Sequence, residues 1–106
     1  MSKYASVFRQ VLNEHPELLT QIRRGVEKES LRVTEDHATL AQTQHPSALG
    51  SALTHPAITS VYSEALLEFI TPAESSIEAT EQSLADLHRF TARQLNKELL
   101  WSASMP

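Results

Sequence analysis

The chain has 106 residues, of which 41% are hydrophobic and 21% are charged, and it carries a net charge of −4 with no cysteine. This composition is typical of one globular domain, or of part of one, with a modest core. The negative charge disfavours nucleic acids and anionic membranes as partners, and the lack of cysteine excludes disulfides and thiolate metal sites. The sequence shows neither a spanning apolar segment nor a signal peptide, so a cytoplasmic protein is expected.

Two short helices are predicted at the start of the chain. Apolar side chains recur at helical spacing over residues 3–14, namely Tyr4, Val7, Phe8, Val11 and Leu12. Pro16 ends this helix and suits the first turn of a second, shorter one. The apolar side chains of the first helix are expected to pack against the rest of the domain.

Residues 22–33 are predicted to form a β-strand with two carboxylates on one face. In a strand, Glu27 and Glu29 share their face with Leu31 and Val33. The Cα atoms of the two glutamates would lie about 7 Å apart, so both side chains could reach one site. Two interpretations stay open: a site for a hard cation such as Mg²⁺, which prefers oxygen ligands, or a solvated sheet edge.

The middle of the chain has weaker patterns. Residues 34–38 are typical of a turn, and residues 39–43 of a short antiparallel return strand. Residues 44–60 are predicted to be a loop with one helical turn at 47–53. His45 and His55 each precede a proline in this loop, and either could bind a ligand or be simply solvated.

A second strand is predicted at residues 61–70, and it contains a carboxylate within an apolar run. Glu68 interrupts this run, and Glu64 falls on the same face four residues earlier. A carboxylate in such a run is costly unless it is paired or bound to a metal. The pattern therefore favours a role for Glu68 beyond packing.

The carboxylates of the two strands need a positive partner if they meet. Two carboxylates about 6 Å apart repel by roughly 3 kcal/mol at an effective dielectric constant of about 20. If the glutamates at positions 27, 29 and 68 face one another, a positive group must lie between them. The candidates are Arg24, Arg32 and a divalent cation.

The longest helix is predicted over residues 75–97 and is expected to cover the sheet. Ser75 and Glu78 have the spacing of a capping box. Phe90 is expected to pack against the sheet, and His88 is interpreted as structural. Residues 99–105 are largely apolar, which indicates a piece of a longer chain or a surface that docks on a partner.

Four strings of the sequence resemble the N-terminal part of bacterial glutamate–cysteine ligases of the proteobacterial type. In order they are Arg-Arg-Gly-Val-Glu-Lys-Glu-Ser-Leu-Arg-Val at 23–33, His-Pro-Ser-Ala-Leu-Gly-Ser-Ala-Leu-Thr-His-Pro at 45–56, Tyr-Ser-Glu-Ala-Leu-Leu-Glu-Phe-Ile-Thr-Pro at 62–72 and Asp-Leu-His-Arg-Phe-Thr-Ala-Arg at 86–93. The final Leu-Trp-Ser-Ala-Ser-Met-Pro is also similar to that family. Enzymes of the family are several times longer, so residues 1–106 look like the N-terminal portion of the catalytic domain.

The resemblance implies a fold related to glutamine synthetase and the first step of glutathione synthesis. In that family ATP phosphorylates the γ-carboxyl group of glutamate, and the cysteine amine attacks the acyl phosphate while Mg²⁺ neutralises the phosphates. By their motifs, Glu27, Glu29 and Glu68 match the metal-binding carboxylates of the family. Val61 departs from the pattern, because the family usually has an acidic residue there, and this puts one metal position in doubt.

The sequence therefore predicts an α+β fold in which antiparallel strands pack on helices and form part of a glutamine-synthetase-like catalytic sheet. The expected partners are L-glutamate, L-cysteine, ATP with Mg²⁺, and the missing C-terminal part of the enzyme. The isolated chain is expected to be inactive. The alternative is a non-catalytic fragment or interaction module that needs a separate C-terminal chain.

Overall fold

The computed structural model describes residues 2–49, 56–60 and 63–104, and within them the central element is a four-stranded antiparallel sheet. Its strands are β1 (Glu27–Thr34), β2 (Ile58–Ser60), β3 (Leu66–Ile70) and β4 (Glu98–Leu100), in the spatial order β2-β3-β1-β4. The α-helices are α1 (Lys3–Glu14) and α2 (Ile77–Gln94), and 3-10 turns lie at Pro16–Leu19 and Ser47–Leu49. The predicted α+β class, with antiparallel strands packed on helices, is confirmed.

The register between β1 and β3 defines the two faces of the sheet. Lys28 lies opposite Phe69, and Glu29 lies opposite Glu68. Residues directly opposite one another point to the same face, and successive residues alternate between faces. One side of the sheet, the helix face, therefore includes Lys28, Leu67 and Phe69. The other side, the open face, includes Glu29 and Glu68.

Helix α2 covers the helix face, as the sequence predicts. The buried core cluster consists of Leu49, Ile58, Leu67 and Phe69, against which Leu84, Leu87 and Leu100 pack. Thr91 is the fully buried residue of α2, whereas Phe90 keeps 38% of its surface exposed. Phe90 is thus only partly packed, and the expectation that it packs against the sheet stays a prediction. No helix in the described segments combines the length and the apolarity needed to cross a membrane.

The N-terminus of α2 is capped by Ser76, one residue later than the capping box expected at Ser75. The Ser76 Oγ accepts a hydrogen bond of 3.1 Å from the Ala79 backbone N–H. Replacing Ser76 by alanine is expected to lower the free energy of unfolding by about 1 kcal/mol, because this N–H loses its partner. The matched control, Ser75→Ala, should stay within about 0.5 kcal/mol of the unmodified chain in urea unfolding. Equal losses in both variants would contradict the assignment of the cap.

The boundaries of the predicted first strand and of its return strand are wrong. The strand expected at 22–33 begins at Glu27, and Arg24 before it makes only an isolated bridge with Glu74. The expected turn forms, since the Ala38 N–H donates to the Thr34 carbonyl oxygen at 2.9 Å. The return strand expected at 39–43 is reduced to one bridge, between residues 33 and 40.

The remaining boundaries also differ, because short strands depend on partners that are distant in sequence. The strand expected at 61–70 begins at Leu66, and the helix expected at 75–97 ends at Gln94. Strands β2 and β4 fall in the predicted loop and in the apolar end of the chain. Each has three residues; β2 pairs with β3, and β4 pairs with β1. Three residues carry too little periodicity to be recognised. The predicted helical turn is described only at Ser47–Leu49, because residues 50–55 lie outside the described residues.

Helix α1 forms over the predicted residues, but its apolar side does not pack as expected. Tyr4 is 86% exposed and Phe8 is 64% exposed. Within the described part of the chain, α1 packs mainly on the 3-10 turn Pro16–Leu19, which follows it directly. The radius of gyration is 18.8 Å, whereas a compact domain of this length would have about 13 Å. The helix therefore extends away from the sheet.

Candidate carboxylate site

The three predicted carboxylates lie on the open face of the sheet. Glu29 on β1 is directly opposite Glu68 on β3, which places their Cβ atoms about 5 Å apart. Glu27 lies one strand repeat from Glu29 and opposite Ile70. The register therefore brings these side chains to the same patch of the sheet, although Glu68 is about 40 residues away along the chain.

The three carboxylates reach solvent and have no cationic partner among the described residues. Glu27 and Glu29 are exposed, and Glu68 is half-buried. None of the ion pairs in the described segments involves any of the three. Arg32, one of the positive groups considered from the sequence, lies on the helix face and pairs with Glu98 instead. An arginine at position 32 therefore cannot neutralise the open-face carboxylates.

The three carboxylates lie on one face of the sheet, but they do not form a metal-binding cluster by themselves. In the described segments, no group of three or more histidine, cysteine, aspartate or glutamate side chains is placed to hold a metal ion by itself. Mg²⁺ sites of the phosphoryl-transfer type usually need fewer protein ligands, since one or two carboxylates act together with substrate phosphates and water. Hard oxygen donors on an open face fit that kind of site.

Thr59 is a candidate member of the site that the sequence interpretation missed. It lies opposite Glu68 in the pairing of β2 with β3, so its side chain belongs to the open face beside that carboxylate. It was missed because β2 falls in a predicted loop. A threonine between two β-branched or small residues in Ile58–Ser60 gives a weak strand signal, and only the pairing reveals its position.

Lys28 and His88 lie behind the carboxylates, between the sheet and α2. The Lys28 ammonium donates a hydrogen bond to the Ser30 hydroxyl, and burial lowers the pKa of Lys28. The His88 and Phe69 rings pack in a tilted arrangement with their centroids 4.8 Å apart. Burial, and to a smaller degree the charge of Lys28, lowers the pKa of His88. The position of His88 between α2 and the sheet is consistent with the structural role expected for it.

Arg32 is the fully buried charge of the described residues and joins three segments. Its guanidinium donates to the Glu98 carboxylate at 2.7 Å and to the backbone oxygens of Thr43 and Glu64 at 2.6 and 2.9 Å. These bonds connect β4, the segment before the second 3-10 turn and the segment before β3 to the central strand. No local pattern predicts this pairing, because Glu98 is far from position 32 along the chain.

His45 and Glu64 form a pair outside the carboxylate patch. The Glu64 carboxylate accepts hydrogen bonds from the His45 backbone N–H, at 2.9 Å, and from the His45 ring. These bonds lower the pKa of Glu64. Glu64 precedes β3, so the expectation that it shares a strand face with Glu68 is wrong. The predictions for His55 and Val61 concern positions outside the described residues.

The described fold resembles part of the solved structures of two ligases. The structure resembles the crystal structure of a glutamate–cysteine ligase from Francisella tularensis in complex with AMP, with a TM-score of 0.75 and 40% identity, over 81% of this chain and 17% of that one. It also resembles a bifunctional glutathione synthetase from Pasteurella multocida, with a TM-score of 0.73 and 34% identity, over 91% of this chain and 14% of that one.

The sequence assigns the chain to one family within this class. A model of the glutamate-cysteine ligase family matches residues 9–106, and the chain belongs to that family. It is 56% identical over 95 residues to a glutamate–cysteine ligase of Photorhabdus laumondii, a match that covers 90% of this chain. The matched part spans 18% of the length of that curated relative. The resemblance inferred from the four sequence strings is confirmed.

Proposed function

We propose that this chain is the N-terminal part of an ATP-dependent glutamate–cysteine ligase. In the proposed reaction an oxygen of the glutamate γ-carboxylate attacks the γ-phosphorus of ATP, and ADP leaves. The cysteine amine then attacks the acyl carbon, phosphate leaves with the bonding electrons, and the amine loses a proton. The product is the γ-glutamyl amide of cysteine. The proposed reaction takes place in the cytoplasm and uses ATP as the phosphoryl donor.

The observation that carries this proposal is the pairing of Glu29 with Glu68 on an open sheet face. Two carboxylates directly opposite each other in a sheet are unfavourable for folding. Their presence on the exposed face, with Glu27 beside them, is better explained by a cationic ligand than by packing. The Francisella tularensis relative is in complex with AMP, which supports a nucleotide as a ligand of the complete enzyme.

In this proposal Glu27, Glu29 and Glu68 would supply carboxylate ligands for Mg²⁺ when ATP is bound. The metal supplies charge neutralisation for the transferred phosphoryl group. The sheet fixes the positions of the carboxylates, since it places two of them directly opposite each other. Helix α2 covers the other face, so a ligand can approach only from the open face. The remaining contacts to glutamate, cysteine and adenine are assigned to the rest of the enzyme.

A second candidate is a non-catalytic fragment that requires a separate C-terminal chain. Two observations favour it for the isolated chain: the matched part is 18% of the relative's length, and the radius of gyration of 18.8 Å exceeds that of a compact domain. The two candidates differ in whether the chain supports ligation once the rest of the enzyme is supplied.

A chimera tests the choice between the two candidates. The matching N-terminal part of the Photorhabdus laumondii enzyme is replaced by this chain, and phosphate release that depends on glutamate, cysteine and ATP is measured. We expect an active chimera and no activity from the isolated chain. A folded chimera without activity, next to an active parent enzyme, would favour the non-catalytic candidate. A Val61→Asp chimera then shows whether the departure at position 61 is responsible.

A further inference from the structure

The apolar side of the N-terminal arm is an exposed surface that the proposed function does not explain. This arm surface consists of side chains of α1 and of the 3-10 turn that follows it, namely Tyr4, Val7, Phe8, Val11, Leu18 and Leu19. Their exposed fractions are 86%, 51%, 64%, 39%, 46% and 58%, in that order. An exposed apolar patch of this kind, bordered by polar residues, marks an interaction site.

The pattern of α1 shows that the patch is built to pack. The apolar residues follow one stripe of the helix, whereas Arg9, Gln10 and Asn13 lie on the other side. On the apolar side, Tyr4, Val7 and Phe8 line a shallow groove of about 430 Å³. A helix of this type is normally stabilised by packing of its apolar stripe, because a helix of 12 residues is marginal in water.

The structure and the comparisons together indicate one occupant for this surface. We infer that the arm surface docks on the C-terminal remainder of a glutamate–cysteine ligase polypeptide. The described sheet leaves the arm uncovered, and the radius of gyration is 18.8 Å where about 13 Å is expected for a closed domain. The curated relative has more than five times the matched length, so it contains ample polypeptide to cover the arm.

Two other occupants fit the observations less well. A second copy of the chain would have to dimerise through α1, and a helix of 12 residues is only about 18 Å long. Two such helices side by side bury less area than the 1,200 Å² or so that stable interfaces need. A membrane surface would favour a polar face rich in lysine and arginine, whereas α1 has only Lys3 and Arg9, and Glu14 offsets one of these charges.

The inference rests on the proposed function, because it takes the remainder of the ligase as the partner. The test uses the same chimera but reads the protection of α1 amides against hydrogen exchange, which does not depend on catalysis. We expect protection of α1 to be at least about tenfold higher in the chimera than in the isolated chain. Phe8→Asp is expected to remove this gain, because a carboxylate cannot be buried in an apolar contact without a partner.

The matched control is Asn13→Asp, which introduces the same side chain on the opposite side of α1 and should keep the gain in protection. In the isolated chain, Phe8→Asp should leave the circular dichroism and the unfolding midpoint unchanged, since Phe8 is already exposed. A chimera that unfolds with Phe8→Asp but not with Asn13→Asp also supports the inference. Equal exchange of α1 amides in the chimera and in the isolated chain would overturn it.

The remaining outcomes separate this inference from the proposed function. An inactive chimera with protected α1 amides would contradict the ligase proposal and keep the docking surface. An active chimera with unprotected α1 amides would contradict the docking surface and support the ligase proposal. A concentration-dependent dimer of the isolated chain in light scattering, abolished by Phe8→Asp, would overturn the inference in favour of a second copy.

Discussion

Replacing Glu29 or Glu68 by glutamine in the active chimera is expected to lower kcat/KM by about 100-fold or more. Glutamine keeps the shape of the side chain but removes the charge that would hold a divalent cation, and losses of this size are typical when such electrostatic stabilisation is removed. The Mg²⁺ concentration that gives half-maximal activity should rise in parallel. Steady-state phosphate release at a series of Mg²⁺ concentrations measures both effects.

The stability of the same variants distinguishes a site from a structural pair. Glu29 and Glu68 are like charges directly opposite each other, so removing one charge should leave the unfolding midpoint unchanged or slightly higher. Loss of activity without loss of stability is the signature of a ligand-binding role. Glu81→Gln, on an exposed position of α2, is the matched control and should retain full activity. Unchanged kinetics in both site variants would sink the metal assignment.

The second large effect is expected at Arg32, on stability rather than on catalysis. Replacing Arg32 by methionine is expected to lower the free energy of unfolding by about 3–5 kcal/mol, because the Glu98 carboxylate keeps its charge in a mostly buried position without its partner. The side chain of Arg32 is fully buried, and that of Glu98 is 11% exposed. Urea unfolding of the chain, monitored by circular dichroism, measures the change.

Two comparisons show whether the loss comes from the buried pair. Arg89→Met breaks an exposed ion pair with Asp86, in which the two side chains are 61% and 64% exposed, and should cost less than about 1 kcal/mol. The double replacement Arg32→Met/Glu98→Met should cost less than the sum of its single replacements, since it leaves no unpaired charge. Additive costs would show that the two side chains act independently.

Local patterns were sufficient for several features of this protein. Helical spacing located α1 and most of α2, because a helix is stabilised by contacts within about one turn. Alternation in β1 placed Glu27 and Glu29 on the same face before any partner strand was known. The sequence strings around these residues identified the family, which the family match over residues 9–106 confirms. The metal-binding role of the glutamates stays a prediction.

Other features depended on contacts between distant segments. Strands β2 and β4 form because β3 and β1 offer them unpaired edges. The exposure of the arm likewise follows from the arrangement of the whole chain, since its apolar stripe is the same whether or not a partner covers it.

By itself, the sequence determined which residue types alternate along each strand and which helices form, because those preferences arise from neighbouring residues. Only the tertiary structure decided that Glu29 lies opposite Glu68 and that Arg32 pairs with Glu98 rather than with the open-face carboxylates. It also decided that the Glu64 carboxylate accepts a hydrogen bond from His45. The physical reason is register. Pairing of strands far apart in the chain fixes which side chains meet, and no local periodicity encodes that alignment.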